Sequence, residues 1–164
     1  MELHTTDLLD AHDEQIRLGQ VRVVAPIFRS FGGRSNFHGT ISTLKVFEDN
    51  SLVRKAVEQQ GHGRVLVIDG GGSMRCALVG DQLAQLAIDN GWAGVLVYGC
   101  IRDSQTIAHM KIGIHALGTH PLKSIKRNTG EIDIPVSFGG VSFVPGQQLY
   151  ADADGIVVSV TVLN

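Results

Sequence analysis

Two short segments carry residue types from which chemistry at a carbonyl can be built. The first is Tyr98-Gly99-Cys100-Ile101-Arg102-Asp103, which closes an apolar stretch. In parallel sheets ligands gather outside the carboxyl ends of strands, so a charged pair at this point is well placed. Arg102 can grip a carboxylate through two parallel hydrogen bonds, and Asp103 can bind a hard divalent cation through oxygen. The second is Val79-Gly80-Asp81-Gln82-Leu83, where the chain enters a helix. The free N–H groups and positive dipole end of a helix start receive carboxylates or phosphates, and Gly80 lets a ligand approach the backbone closely. Each segment has a plain structural alternative. Asp81 can simply cap its helix, and Arg102-Asp103 can form a salt bridge or a cap.

Other chemistries are absent from the pattern. Asp69-Gly70-Gly71-Gly72-Ser73 is followed by no Lys-Ser or Lys-Thr and lacks the GxGxxG spacing, so it reads as a tight backbone turn, not a phosphate loop. The histidines at 4, 12, 38, 62, 109, 115 and 120 form no HxH or HExxH pair that would ligate zinc. There is no GxSxG elbow. Cys76 and Cys100 belong to no CxxC pair and are expected as reduced thiols. With 14 basic and 16 acidic residues, the net charge of −2 offers no stripe for nucleic acid. The nearest candidate, Lys123, Lys126 and Arg127, reads as a solvated loop face. Met1-Glu2-Leu3-His4 has no signal-peptide character, and no segment approaches the ~20 apolar residues of a membrane span. The expectation is a cytoplasmic protein without membrane or direct nucleic-acid partners.

Elements that would position these residues can be read along the chain. Thr5 to Asp10 predicts a brief helix, and Val21 to Ile27, which contains Pro26, an edge strand or strand end. Thr40 to Val46 alternates with period two, as a half-buried strand does. Ser51 to Gln60 predicts a helix capped by Asn50 or Ser51 and ended by Gly61. Arg64 to Asp69 and Ala93 to Tyr98 are short apolar runs typical of strands covered on both faces. Between them Asp81 to Asn90 predicts a helix presenting Leu83, Leu86, Ala87 and Ile88. Ile112 to Leu117, Ile134 to Phe138, Val141 to Val144 and Ile156 to Val162 are β-like, with turns at Pro145-Gly146 and Asp152 to Gly155. Strand, helix, strand, helix implies parallel pairing with crossovers, and the β-rich end implies a second sheet layer. With 43% apolar and 18% charged residues and no linker, the 164 residues read as one mixed α/β domain, 1–164.

Three ordered runs then identify a relative. Val67-Ile68-Asp69-Gly70-Gly71-Gly72-Ser73, Ala77-Leu78-Val79-Gly80-Asp81-Gln82-Leu83-Ala84 and Gly94 to Asp103 resemble the regulator of ribonuclease E activity A family. Its enzymatic members are class II 4-hydroxy-4-methyl-2-oxoglutarate aldolases. Phe31 to Arg34, Phe47 to Asn50, Phe138 to Val141 and Tyr150 to Asp152 fit as well, so the resemblance spans about Pro26 to Val158. It implies a β/β/α swivelling-domain fold of the phosphohistidine-domain type, with two sheet layers flanked by helices. It also implies a homotrimer with sites between subunits and a divalent cofactor, Mg2+ or Mn2+. By the same resemblance, Gly80, Asp81, Gln82 and Leu83 receive the pyruvyl carboxylate and Arg102 holds the oxo acid and its enolate oxygen. Asp103 binds the metal directly, and Asp81 binds it through a water.

The residue types suit that chemistry. Breaking a C–C bond beside a 2-oxo group leaves an enolate, whose oxyanion a Lewis acid and an Arg stabilise together. Loss of carbon dioxide from oxaloacetate gives the same enolate, so decarboxylation is expected as a secondary activity. Two departures lower the expected aldolase efficiency. Thr106 stands where the aldolases carry an acid, and the sequence ends at Asn164, short of an extension that supplies an acid to a neighbour. The competing expectation is a non-catalytic regulator that binds and inhibits ribonuclease E, which has no need of Asp81 and Asp103 together. A methyltransferase has little support, because no glycine-rich adenosyl-binding turn follows the first apolar strand.

Overall fold

All four residues of Val65-Leu66-Val67-Ile68 are buried, and their alternation divides them between two cores. Leu66 and Ile68 pack into one cluster with Val53, Val57, Ala84 and Ala87 of two helices. Val65 and Val67 pack into another with Phe138, Phe143, Leu149 and Val158 from the C-terminal third. A strand covered on both faces must be apolar at consecutive positions, which is why this run shows no polar alternation.

The computed structural model describes residues 2–164. In chain order the elements are α1 (Thr5–Ala11), α2 (Asp13–Arg17), β1 (Val21–Val23), β2 (Arg29–Ser30), β3 (Phe37–Lys45), α3 (Ser51–Val57), β4 (Val65–Asp69), β5 (Ala77–Val79) and α4 (Asp81–Asp89). They continue with β6 (Gly94–Ile101), α5 (Ser104–Ile107), β7 (Gly113–Thr119), β8 (Glu131–Ile132), β9 (Val136–Phe138), β10 (Val141–Phe143), β11 (Gln148–Ala151) and β12 (Ile156–Ser159).

Strand β3 joins the two layers. Its first half, Phe37 to Thr40, pairs antiparallel with β11. Its second half, Ile41 to Lys45, pairs parallel with β4. Strands β4, β6 and β7 extend the parallel part, with helices on one face. Strands β11, β12 and β1 form an antiparallel ribbon, and with the β9–β10 hairpin they cover the other face. The fold is therefore mixed α/β with helix, parallel sheet and antiparallel sheet in succession, as the β-rich C-terminus implied. Burial of each Val, Leu or Ile side chain here contributes about 1.5–3 kcal/mol. No helix among the described residues is long and apolar enough to cross a membrane.

Some elements differ from the sequence expectation. Strand β1 stops at Val23, because Val24 and Ala25 donate their N–H groups to Ile156 and Gly139 and Pro26 has none to offer. Helix α3 ends at Val57, and neither Asn50 nor Ser51 caps it through a side chain. Asp49 does that work: its Oδ1 accepts the Ser51 N–H at 2.9 Å and the Ser51 hydroxyl.

Candidate active site

A handover between strands brings the two sequence segments together. Strand β4 follows β6 only as far as Tyr98. The glycine turn Gly70 to Gly72 then releases the chain, and β5 takes the vacated edge of β6, pairing at Cys100 and Ile101. Both strands run parallel, so Val79 and Ile101 end side by side, and the Arg102 N–H donates to Val79 O at 2.9 Å. The residues that follow, Gly80-Asp81 at the start of α4 and Arg102-Asp103 before α5, are neighbours at one carboxyl edge. This is where a parallel sheet places ligands.

Asp103 adopts φ 58° and ψ 37°, a left-handed conformation that costs a non-glycine residue of order 1 kcal/mol or more. The turn brings its carboxylate back over Gly80, where Oδ2 accepts the Asp81 N–H at 3.0 Å. Gly80 itself is extended (φ −124°, ψ −170°), so backbone strain does not demand glycine there. Close approach does: a Cβ on Gly80 would lie 2.7 Å from Asp103 Oδ2, and 3.4 and 3.5 Å from Cγ and Nε of Arg102.

The plain alternatives hold only in part, since the Asp103 carboxylate accepts the first N–H of α4 and so caps that helix from outside it. Asp81 makes no side-chain capping bond to its helix, and Asp103 makes none to α5. Among the described residues Arg102 has no ion pair and its guanidinium no hydrogen-bond acceptor. Its donors are therefore free for a ligand. The helix proper begins with the Ala84 N–H donating to Gly80 O at 3.0 Å, which leaves the amides of Gln82 and Leu83 without intrahelical acceptors. All six predicted residues, Gly80, Asp81, Gln82, Leu83, Arg102 and Asp103, line one cavity of about 430 Å³.

The donor set fits a hard cation that keeps most of its water. No group of three or more His, Cys, Asp or Glu side chains converges among the described residues. Asp103 and Asp81 offer two carboxylates on one cavity wall, and magnesium is commonly held by one or two carboxylates plus ligand oxygens.

Sequence reasoning missed that Asn50, Arg54, Lys123, Ser124 and Lys126 line the same cavity, as a basic wall. Asn50 was expected as a cap; instead its Nδ2 donates to Leu78 O at 3.1 Å and its Oδ1 accepts from Ser124 Oγ at 3.0 Å. Lys123 and Lys126 are exposed, as a solvated loop would be, yet they face this cavity. Asp49 anchors their loop, accepting the N–H groups of Arg127 (2.9 Å) and Thr129 (3.2 Å). Burial opposes the charge on Asp49, but these bonds and those from Ser51 outweigh it and hold the carboxyl well below its ordinary range. Beside it, hydrogen bonds from Arg75 and then Ser73 lower Glu48 to about 2.

The mixed α/β domain thus places two carboxylates and a guanidinium that is unpaired among the described residues at one parallel-sheet edge, an arrangement that suits a small anion. Comparison with known proteins narrows it. Residues 5–158 match the family model described as RraA-like, Aldolase/RraA, and the chain belongs to that family. A protein of Aromatoleum aromaticum named "Putative 4-hydroxy-4-methyl-2-oxoglutarate aldolase" is 63% identical over 97% of this chain and 97% of its own. Two solved structures share the fold. One, from Geobacillus kaustophilus, is described as S-adenosylmethionine:2-dimethylmenaquinone methyltransferase (TM-score 0.92, 49% identity, 98% of this chain and 96% of that one). The other is described as the RNA-processing inhibitor RraA of Thermus thermophilis (TM-score 0.90, 46% identity, 98% and 94%).

Proposed function

We propose that this chain is a divalent-cation-assisted lyase that cleaves 4-hydroxy-4-methyl-2-oxoglutarate to two pyruvates and, secondarily, decarboxylates oxaloacetate. One observation carries the reading: the Asp103 carboxylate is seated on the Asp81 amide across Gly80, next to an Arg102 guanidinium with no partner among the described residues. The 63% identical aldolase-named relative supports the same substrate.

In this reading the amides of Gln82 and Leu83 bind the C1 carboxylate, helped by the dipole of α4. Arg102 donates to the 2-oxo oxygen, and its hydrogen bond strengthens as that oxygen takes on negative charge. A water acting as base takes the C4 hydroxyl proton as the C3–C4 bond breaks, so that C4 becomes the carbonyl of one pyruvate. The bond's electron pair moves toward the oxo group, giving the enolate of the other, which Arg102 faces. Protonation at C3 then yields pyruvate. Asp103 would hold a divalent cation directly and Asp81 would hold it through a water. A bound Mg2+ or Mn2+ would supply Lewis-acid stabilisation of the same oxygen. Thr106, exposed on α5, offers no acid or base, so weak aldol cleavage is expected.

Pyruvate release from both substrates, with magnesium and after chelation, tests the reading. Wild type should turn over and Asp103→Ala should not. Equal rates in the two proteins would replace the lyase with the regulator.

That second reading, a protein that binds and inhibits ribonuclease E, is favoured by the likeness to RraA. It would use the outer surface and leave the cavity free. A homotrimer is part of the proposal. The outer side of edge strand β1, which carries exposed Val23, offers unpaired backbone to a neighbour, and Leu18, Val160 and Val162, just outside β1 and β12 in sequence, are exposed as well. A methyltransferase is disfavoured at the glycine turn. Cβ atoms on Gly71 and Gly72 would meet the rings of Phe47 (2.8 Å) and Tyr98 (3.1 Å), so the turn is filled by the protein's own aromatics.

A further inference from the structure

Tyr150-Ala151-Asp152 stands out in the sequence, yet the candidate active site makes no use of it. Asp152 lies on the wall of a second cavity of about 240 Å³, which shares no residue with the first. This cavity is bounded by the β11–β12 turn, the Val24 to Phe28 connection and His115 of β7.

Its walls are held in place. The Asp152 carboxylate is buried and accepts the Thr5 N–H (2.7 Å), the Thr5 hydroxyl (2.8 Å) and the N–H groups of Asp154 (2.9 Å) and Gly155 (3.3 Å). Those bonds fix the turn and fill the carboxylate, which is left to act on a ligand through its charge. In the connection, the Val24 N–H donates to Ile156 O and the Ala25 N–H to Gly139 O. Walls ordered before binding lose less freedom when a ligand arrives.

Two observations define what fits. The first is an unsatisfied group: His115 is only 4% exposed, and its Nε2 has no hydrogen-bond partner among the described residues. An enclosed polar atom left unpaired is costly, and a ligand donor removes that cost. Burial holds the imidazole down at about 4, so near neutral pH it is uncharged and does not repel a cation. The second is charge. The lining includes Asp152 and Asp154 but no Lys or Arg. Asp154 is exposed, and its carboxylate has no partner among the described residues. A metal ion does not suit the site, because no three His, Cys, Asp or Glu side chains converge among the described residues. The volume lies below the roughly 300–1,000 Å³ of drug-sized sites, so the ligand is a small organic one.

We propose that this cavity binds a small organic ammonium ion, with its N–H donated to His115 Nε2, its charge facing Asp154 and Asp152, and its carbon body against Val24, Phe28 and Ile156. The site stands independently of the reading of the active site.

Nitrogen NMR of histidine-labelled protein tests it, with the His115 resonance assigned by its absence from His115→Phe. The probes are benzylammonium and benzyl alcohol, which are nearly equal in shape and differ in charge. Benzylammonium should shift the His115 Nε2 resonance saturably, with a Kd of about 1 mM or tighter. Benzyl alcohol should bind about fivefold more weakly, as the loss of one exposed charge contact gives. Asp154→Asn, at an exposed position, should bring the two affinities together. Asp103→Ala should leave both unchanged, which separates this cavity from the carboxylates of the active site. No shift at His115, equal affinities in wild type, or a preference that survives Asp154→Asn would overturn the proposal. Loss of benzylammonium binding in Asp103→Ala would overturn it too, by placing the amine in the other cavity.

Discussion

Replacing Gly80 by alanine is the sharpest probe of how the site is built. The added methyl would lie 2.7 Å from Asp103 Oδ2, while its distances to Arg102, 3.4 and 3.5 Å, are ordinary contacts. Only the Asp103 carboxylate must therefore move, by roughly half an ångström or more. Such a shift stretches its 3.0 Å bond from the Asp81 N–H to the edge of useful geometry. A hydrogen bond to a charged group is worth about 1.5–3 kcal/mol, but Asp103 is exposed and water can replace the lost partner, so global stability should fall by about 1 kcal/mol at most. The larger effect should be on the cation, because displaced supporting contacts typically lower metal affinity or activity by about 10–100-fold. Mn2+ titration calorimetry, pyruvate formation and thermal melting would measure the three quantities. Gly155→Ala, with nothing within 4 Å of the added atom, is the control. Wild-type Mn2+ affinity and turnover in Gly80→Ala would refute the claim that this glycine seats Asp103.

Other outcomes follow from particular contacts. Arg102→Ala should retain Mn2+ binding but lose about ten- to hundredfold in kcat/KM for oxaloacetate, the loss of one charge-assisted grip; an unchanged ratio would remove Arg102 from the reaction. Asp49→Asn should destabilise the fold by about 1–3 kcal/mol in urea melts, since it disturbs buried donors from Ser51, Arg127 and Thr129. Because the Asp49 carboxyl is lowered in the folded state from 3.8, its contribution is present above that pH and is lost as the pH falls below it. Burial lowers His115 from 6.5 to about 4, so between those values the unfolded chain takes up a proton that the folded chain refuses, and stability falls as the pH drops through the window. The full cost is about 3 kcal/mol. In His115→Phe, urea midpoints at pH 7 and pH 5 should differ less than in wild type; an equal difference would assign the acid sensitivity elsewhere.

What was legible in the sequence was what periodicity and local spacing encode. The apolar runs that became β4 and β6 stand out because each strand is buried on both faces. Helix α4 stands out through Leu83, Leu86, Ala87 and Ile88, of which Leu83 and Ala87 are buried with the unforeseen Ala84 while Leu86 and Ile88 are partly buried. The elements that escaped are too short to show a period. Strand β5 has three residues and α5 has four. Strand β11, Gln148-Leu149-Tyr150-Ala151, was hidden by the same shortness although three of its four residues are buried. The basic wall was illegible for a different reason. Lys123 and Lys126 read correctly as exposed, but Ser124 meets Asn50 from 74 residues away and the Arg127 N–H meets Asp49 from 78, contacts that no local pattern announces.

The glycine turn and the short strand β5 together explain why the site residues meet at all. Had β4 continued along β6 past Tyr98, no second strand could end beside Ile101, and Gly80 and Arg102 would have lain on separate parts of the surface. The turn Gly70 to Gly72 ends β4 in time: the N–H groups of Gly70 and Gly72 both donate to Tyr98 O at 3.1 Å, which closes the edge of β4 and frees the edge of β6 beyond it. Strand β5 then needs only three residues, enough to fix Val79 against Ile101 and too few to carry Asp81 out of reach of Asp103. The glycine run that resembles a nucleotide loop is therefore a strand exchange, and its product is the placement of two carboxylates and one guanidinium on a single edge.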